Sequence, residues 1–251
     1  MAATHLALTA PLVAAFALIH ILIGRLRFLS SLPRSSFLSF AGGVAVTYVF
    51  MHILPRLAEH NAVFARDLEM GEAGAEVLVY GVGLAGLALF YGLERLVKLK
   101  RGRRKERREV ELADEELLWI HLASFALYNA LIGYLLVHRE EEGVFGLILY
   151  FIAMALHFVT ADFGMREDHR RDYDRIARWV LAAAVVAGWL LGLATEVPRL
   201  AIGLLFAFLA GGVVLNVLKE ELPEERQSRF LPFLLGAGSF ALLVAGEALI
   251  A

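Results

Sequence analysis

The chain has 251 residues, of which 59% are hydrophobic, and its 24 Lys and Arg nearly balance its 26 Asp and Glu. The apolar residues fall into repeated blocks of about 20 residues, the length that crosses a bilayer as helix, so we expect an integral membrane protein without a separate soluble domain. The chain has no cysteine, which excludes a disulfide framework and a zinc site built from thiolates.

Eight apolar blocks follow one another and predict an all-α polytopic membrane protein with eight transmembrane helices, here called spans one to eight. Residues 99–116 carry dense charge of both signs and predict a cytoplasmic loop after span three. No aromatic residue interleaves the basic ones, so we expect no nucleic acid partner. The spans cover about residues 6–24, 37–58, 77–98, 117–137, 144–165, 176–195, 200–219 and 230–250.

The distribution of positive charge predicts the topology. The first, third, fifth and seventh connections hold 20 of the 24 Lys and Arg. By the positive-inside rule these connections are cytoplasmic, so we expect both termini on the non-cytoplasmic side of a plasma or inner membrane. No basic segment precedes the first block, which we therefore interpret as a span and not as a cleaved signal.

Polar side chains interrupt spans four and five. Ser124, Tyr128 and Asn129 lie in span four, and His157 and Asp162 lie in span five. An ion at such a depth costs about 3 kcal/mol even on the lenient insertion scales, so Asp162 must be paired or hydrated. Interhelical hydrogen bonding is the simpler account of Ser124 and Tyr128 taken singly, whereas an ionisable pair in one span favours a functional role.

Two further features of the spans bear on function. His20, alone in the first span, is interpreted as a packed or interface histidine. Gly42-Gly43-Val44 followed by Leu54-Pro55 in span two resembles Gly211-Gly212-Val213 followed by Leu222-Pro223 after span seven, with a difference of one residue in spacing. The charge distribution makes the two copies run in opposite directions, which predicts an inverted repeat of spans one to three and six to eight around spans four and five.

These motifs resemble the ZIP (Zrt/Irt-like) family of divalent metal transporters, whose members have eight spans in a 3+2+3 inverted-repeat bundle. The segment 42–55, ending in His-Ile-Leu-Pro, is similar to the second span of that family, and 90–95 is similar to the end of its third. At the fourth-span motif Ser124 and Tyr128 replace a His and an Asp. At the fifth-span motif His157 keeps the first His, and Asp162 replaces the last Glu.

The resemblance implies a transporter that moves a divalent metal ion, such as zinc, through a reduced site between spans four and five. The ion would be the substrate; the resemblance implies no other cofactor, no enzymatic activity and a homodimer in the bilayer. His157 and Asp162 would bind one ion at low affinity, because a two-metal centre needs more carboxylates and imidazoles. The residues that could line the pathway are Ser124, Tyr128, Asn129, Asn216, Glu220 and His52.

Two other functions remain open at this point. The chain could be a ZIP-like protein that does not transport metal, and instead carries another solute or has a structural or regulatory role, with His157 and Asp162 hydrogen-bonded to each other or to Tyr128. The weaker alternative is an intramembrane metal-dependent hydrolase. A catalytic zinc ion needs three protein ligands and a water, and the sequence supplies no evident third ligand.

Overall fold

The computed structural model describes residues 2–26, 36–107, 113–138, 143–221 and 229–250. These residues are almost entirely helical and contain no strand. A 3₁₀ turn, Ile23–Arg25, follows the first helix, and two π-helical turns, Val49–Ile53 and Tyr173–Ala177, join α2 to α3 and α7 to α8. The helices are α1 (Ala2–Leu22), α2 (Ser36–Tyr48), α3 (Leu54–Asp67), α4 (Glu72–Arg107), α5 (Ala113–Val137), α6 (Val144–Asp168), α7 (Arg170–Asp172), α8 (Arg178–Ala194), α9 (Arg199–Glu221) and α10 (Phe230–Ile250).

Several helical segments are suited to a bilayer. Within the described ranges, six are long and apolar enough to cross one, and two are shorter apolar helices. The chain is therefore an α-helical membrane protein, as the composition predicted, while the count of eight spans stays a prediction. The six are Leu6–Arg25, Ser36–Asp67, Glu72–Leu93, Val144–Glu167, Arg170–Ala194 and Arg199–Val217, and the shorter two are Leu122–Val137 and Phe230–Gly246.

Two helices extend beyond the predicted spans. Helix α4 continues to Arg107, so residues 99–107 are helix where we predicted loop; residues 108–112 lie outside the described set. Lys, Arg and Glu are good helix formers, which accounts for the extension. The second span continues past Pro55 as α3, because the π turn Val49–Ile53 precedes the proline and proline is tolerated in the first turn of the helix that follows.

Helices α2 and α10 pack backbone to backbone through a reciprocal pair of glycines. A methyl group added to Gly43 would overlap the carbonyl oxygen of Phe233, and one added to Gly236 would overlap the carbonyl oxygen of Phe40. Small residues let helix backbones approach closely, and this contact replaces the hydrophobic driving force that is missing between helices in lipid.

The same arrangement recurs between α4 and α9. A methyl group on Gly211 would overlap the carbonyl oxygen of Gly83, and one on Gly86 would overlap the carbonyl oxygen of Phe208. In both helix pairs each glycine lies three residues after the carbonyl that the partner glycine contacts. Gly83 and Gly86 of the third span thus allow α4 and α9 to pack closely.

A third pair, α5 and α8, has the reciprocal contact as well, with Gly133 against the carbonyl of Val185 and Gly188 against the carbonyl of Ala130. Helix α6 lies inside the bundle. In its apolar stretch of 18 residues 61% of the residues are buried, whereas the corresponding value for α4 is 22%. It packs mainly on α1 and α2 and meets α5 at few positions. Its neighbours therefore place the polar residues of α6 opposite α1 as well as α5.

Candidate functional site

Asp162 is paired with His20. The Asp162 carboxylate Oδ2 lies 2.6 Å from His20 Nδ1, and the two side chains are 2% and 0% exposed. A carboxylate and an imidazole in direct contact satisfy the condition that a charge buried in a span be paired. The isolated histidine of the first span is therefore the partner of Asp162, and its interpretation as a plain packing residue was incomplete.

Tyr173 completes this contact from the second π turn. Its hydroxyl donates a hydrogen bond to the carbonyl oxygen of His20 at 3.1 Å, and its side chain also interacts with Asp162. Tyr173 is fully buried. Because it begins the π turn that leads into α8, it ties the end of α1 to the end of α6 through one side chain.

His157 lies on a different face of α6. Its ring centroid is 5.3 Å from that of Tyr128 in α5. Five residues separate His157 from Asp162, which turns their side chains about 140° apart around the helix. No hydrogen bond joins the two among the described residues. His157 thus faces α5, whereas Asp162 faces α1.

Tyr128 fills the space where four helices meet. Its ring packs edge to face on Phe90 of α4, with centroids 5.7 Å apart, and lies against Gly212 of α9. The Tyr128 hydroxyl is buried and has no hydrogen-bond partner among the described residues. A bulky ring therefore occupies the position at which the resemblance places a metal-binding carboxylate.

Asn129 and Ser124 are buried beside Tyr128 in α5. The Asn129 amide nitrogen donates to the Phe125 carbonyl at 2.7 Å, while its side-chain oxygen has no partner in the described part of the chain. Asn129 is thus held by its own helix, and its free oxygen is an acceptor in the interior.

The other predicted pathway residues are His52, Asn216 and Glu220. His52 lies in the π turn Val49–Ile53, stacked on Tyr48 with ring centroids 4.7 Å apart. Asn216 is half-buried on α9. The side chain of Glu220 lies outside the described residues, as does that of His121 in α5.

The capacity of the site for a metal ion is limited. Across the described ranges, no group of three or more His, Asp or Glu side chains is arranged to hold a metal ion. A closed zinc site takes four ligands, so any ion here would complete its shell with waters or neutral oxygens. The described side chains therefore do not provide the ligand set of a bridged metal pair.

An ion pair lies one turn beyond Asp162 on α6. Arg166 donates from Nε to Asp174 Oδ1 at 2.7 Å and from Nη2 to Oδ2 at 2.8 Å. Its guanidinium also packs against Gly24, where an added Cβ would lie 3.0 Å from Nε. Together with His20, Asp162 and Tyr173 it forms a polar layer between α1, α6 and the second π turn.

His20 and Tyr173 are the residues that the sequence did not assign to the site. An ionisable residue in an otherwise apolar span was the available signal for His20, since such a residue requires a partner. Tyr173 gave no signal, because it lies among the charged residues of a predicted cytoplasmic connection. No protein-family model, curated protein or solved structure matches this chain.

Proposed function

We propose that this chain is a ZIP-like membrane transporter that moves a divalent metal ion along α6 through a reduced, single-ion site. The observation that carries the proposal is the burial of His157 and Asp162 in the middle of one apolar helix, at 4% and 1% exposure. Ionisable side chains are expensive at such a depth, and where they occur they mark ion and substrate pathways.

The packing of the glycine pairs supports an inverted repeat. Gly43 and Gly211 are separated by 168 residues, as are Phe40 and Phe208, the residues whose carbonyls the partner glycines contact. The same separation relates Leu54 to Leu222. Aligning Gly43 with Gly211, and not Gly42 with Gly211, removes the one-residue difference in spacing between the two motifs.

The partner helices obey a matching rule. Phe233 and Gly236 of α10 lie 150 residues after Gly83 and Gly86 of α4, and they occupy the same places in the contact. Spans two and eight thus pack as spans seven and three do, which is the relation that a 3+2+3 inverted repeat requires. Substrate sites in such folds lie near the midplane at the repeat interface, where α5 and α6 belong in this proposal.

The proposal includes the topology and assembly that the ZIP resemblance implies. Eight spans would leave both termini on the non-cytoplasmic side, and the chain would act as a homodimer in the bilayer. The concentration of 20 Lys and Arg in alternate connections supports this orientation.

A second candidate is a ZIP-like protein that does not move metal. One observation favours it: Asp162 is already engaged by His20 at 2.6 Å, and the described residues contain no group of three metal-ligating side chains. In that case the buried pair would serve another solute or hold α1 against α6.

Uptake of Zn²⁺, Cd²⁺ and Mn²⁺ into proteoliposomes tests the proposal, with wild type compared to Asp162→Asn. Asparagine keeps an oxygen that can accept from His20, so the variant should fold while losing the charge that attracts the ion. We expect saturable uptake that the substitution strongly reduces. His138→Gln is the control. His138 directly follows the last residue of α5, and its Nε2 contacts the Gly192 carbonyl near the end of α8 and not Asp162.

The outcomes separate the candidates. Saturable uptake that falls in Asp162→Asn and persists in His138→Gln supports metal transport. Uptake no greater than that of empty vesicles, from folded protein, refutes it and favours the second candidate. Metal-dependent turnover of the vesicle lipid would instead identify the hydrolase.

A further inference from the structure

His20 has one ring nitrogen bound and one left over. The residue is fully buried in the last turn of α1, and its Nδ1 contacts the Asp162 carboxylate. Its Nε2 is buried and has no hydrogen-bond partner among the residues that the structure describes. An unsatisfied buried polar atom costs about 1–3 kcal/mol, so it calls for a ligand that the protein alone does not supply.

The contact with Asp162 determines what Nε2 can bind. A carboxylate group accepts hydrogen bonds, so the contact is consistent with the tautomer in which Nδ1 carries the hydrogen. In the neutral imidazole Nε2 then presents a lone pair. Metal-ligating histidines typically have this arrangement, in which the other ring N–H is donated to a carboxylate that orients the ring and raises its basicity.

The surroundings of His20 hold its ring in place. The Tyr173 hydroxyl donates to the His20 carbonyl and fixes this turn of α1. The ring itself packs on Phe158, with centroids 4.6 Å apart. Both the backbone and the ring orientation are thus fixed around one free nitrogen.

We propose that His20 Nε2 is a ligand of the transported divalent ion, and that Asp162 is a positioning residue that orients it. The inference rests on the proposed function, and it moves the metal contact from Asp162 to α1. The ion is a borderline cation such as Zn²⁺, which accepts imidazole nitrogen. Waters and neutral oxygens complete the shell, because His157 faces α5 and, within the described ranges, no group of three His, Asp or Glu side chains is arranged to hold an ion.

Zn²⁺ binding to the purified protein in detergent, measured by calorimetry beside the flux assay, tests the assignment. His20→Gln keeps an amide N–H for Asp162 but offers no imidazole, and should weaken binding by at least about 10-fold. Asp162→Asn keeps the hydrogen-bond acceptor but not the charge, and should weaken binding by about 10- to 100-fold, as loss of such an orienting carboxylate typically does. The matched control His138→Gln should bind as wild type does.

Each combination of results has one meaning. Uptake by wild type that His20→Gln leaves unchanged overturns the role of His20 and leaves the transport proposal standing. Zn²⁺ binding that depends on His20 without any flux supports the site and overturns transport. Neither binding nor flux in the folded wild type overturns both.

A measurement on the wild type covers the case in which His20→Gln does not fold. In protein labelled with ¹⁵N at histidine, adding Zn²⁺ should shift the His20 Nε2 resonance from the range of an unprotonated ring nitrogen to that of a metal-bound one, while Nδ1 stays protonated. Zn²⁺ binding that leaves Nε2 unshifted overturns the inference. A merely structural pair would not move with the metal.

Discussion

The helix packing can be tested with two glycines on α10. Gly236 is buried, and a Cβ added there would overlap the Phe40 carbonyl oxygen and lie 2.9 Å from its carbon. Ordinary carbon contacts are about 3.5–4.0 Å, so Gly236→Ala forces α10 to retreat from α2 by about 1 Å. Strain of this kind costs about 1–3 kcal/mol, and the unfolding free energy of the purified protein in mixed micelles should fall by that amount.

Gly238, two residues further along α10, is the matched control. Among the described residues, no neighbouring atom lies within 4 Å of a Cβ added there. Gly238→Ala should therefore be neutral or stabilise the helix, by up to about 1 kcal/mol. Both substitutions change the helix propensity equally, so their difference isolates the packing term. Equal stability of the two variants would refute the close contact between α2 and α10.

Two more predictions concern the contact between α4 and α9 and the ion pair between Arg166 and Asp174. Gly86→Ala should destabilise the protein about as much as Gly236→Ala, because the added methyl group meets the Phe208 carbonyl. Gly81→Ala should be tolerated, because no described neighbour lies within 4 Å of the added methyl group. A tolerated Gly86→Ala would contradict the close contact between α4 and α9. Arg166→Gln should lower stability by at most about 1 kcal/mol, since the Arg166 and Asp174 side chains are 21% and 39% exposed, and a double-mutant cycle with Asp174→Asn measures the pair. Coupling well above 1 kcal/mol would show that the pair is less hydrated than its exposure indicates.

The sequence supported the membrane class and the helix positions for a simple reason. Long apolar blocks can cross a bilayer only as helices or closed barrels, and their length here is that of helices. The end of span three was harder to predict, because the Lys and Arg that follow it are compatible with both a charged loop and a helix. The structure continues that helix to Arg107.

The site shows a sharper limit. His157 and Asp162 share one span, and the helical repeat turns their side chains about 140° apart, but it does not say which helix each side chain meets. Asp162 meets His20, about 140 residues earlier in the chain, and His157 meets Tyr128. Such pairings depend on how helices pack, and no local pattern reports them.

The sequence by itself determined the membrane class and the helical character of the chain, because hydrocarbon leaves a backbone few ways to satisfy its hydrogen bonds. It also determined that Asp162 needs a partner, because an unpaired ion is expensive in a span. Only the tertiary structure decided that the partner is His20. The reason is that α6 packs on α1 and α2, whereas α5 packs on α8. The α5–α8 contact is made by glycines and carbonyl groups about 50 residues apart in the chain.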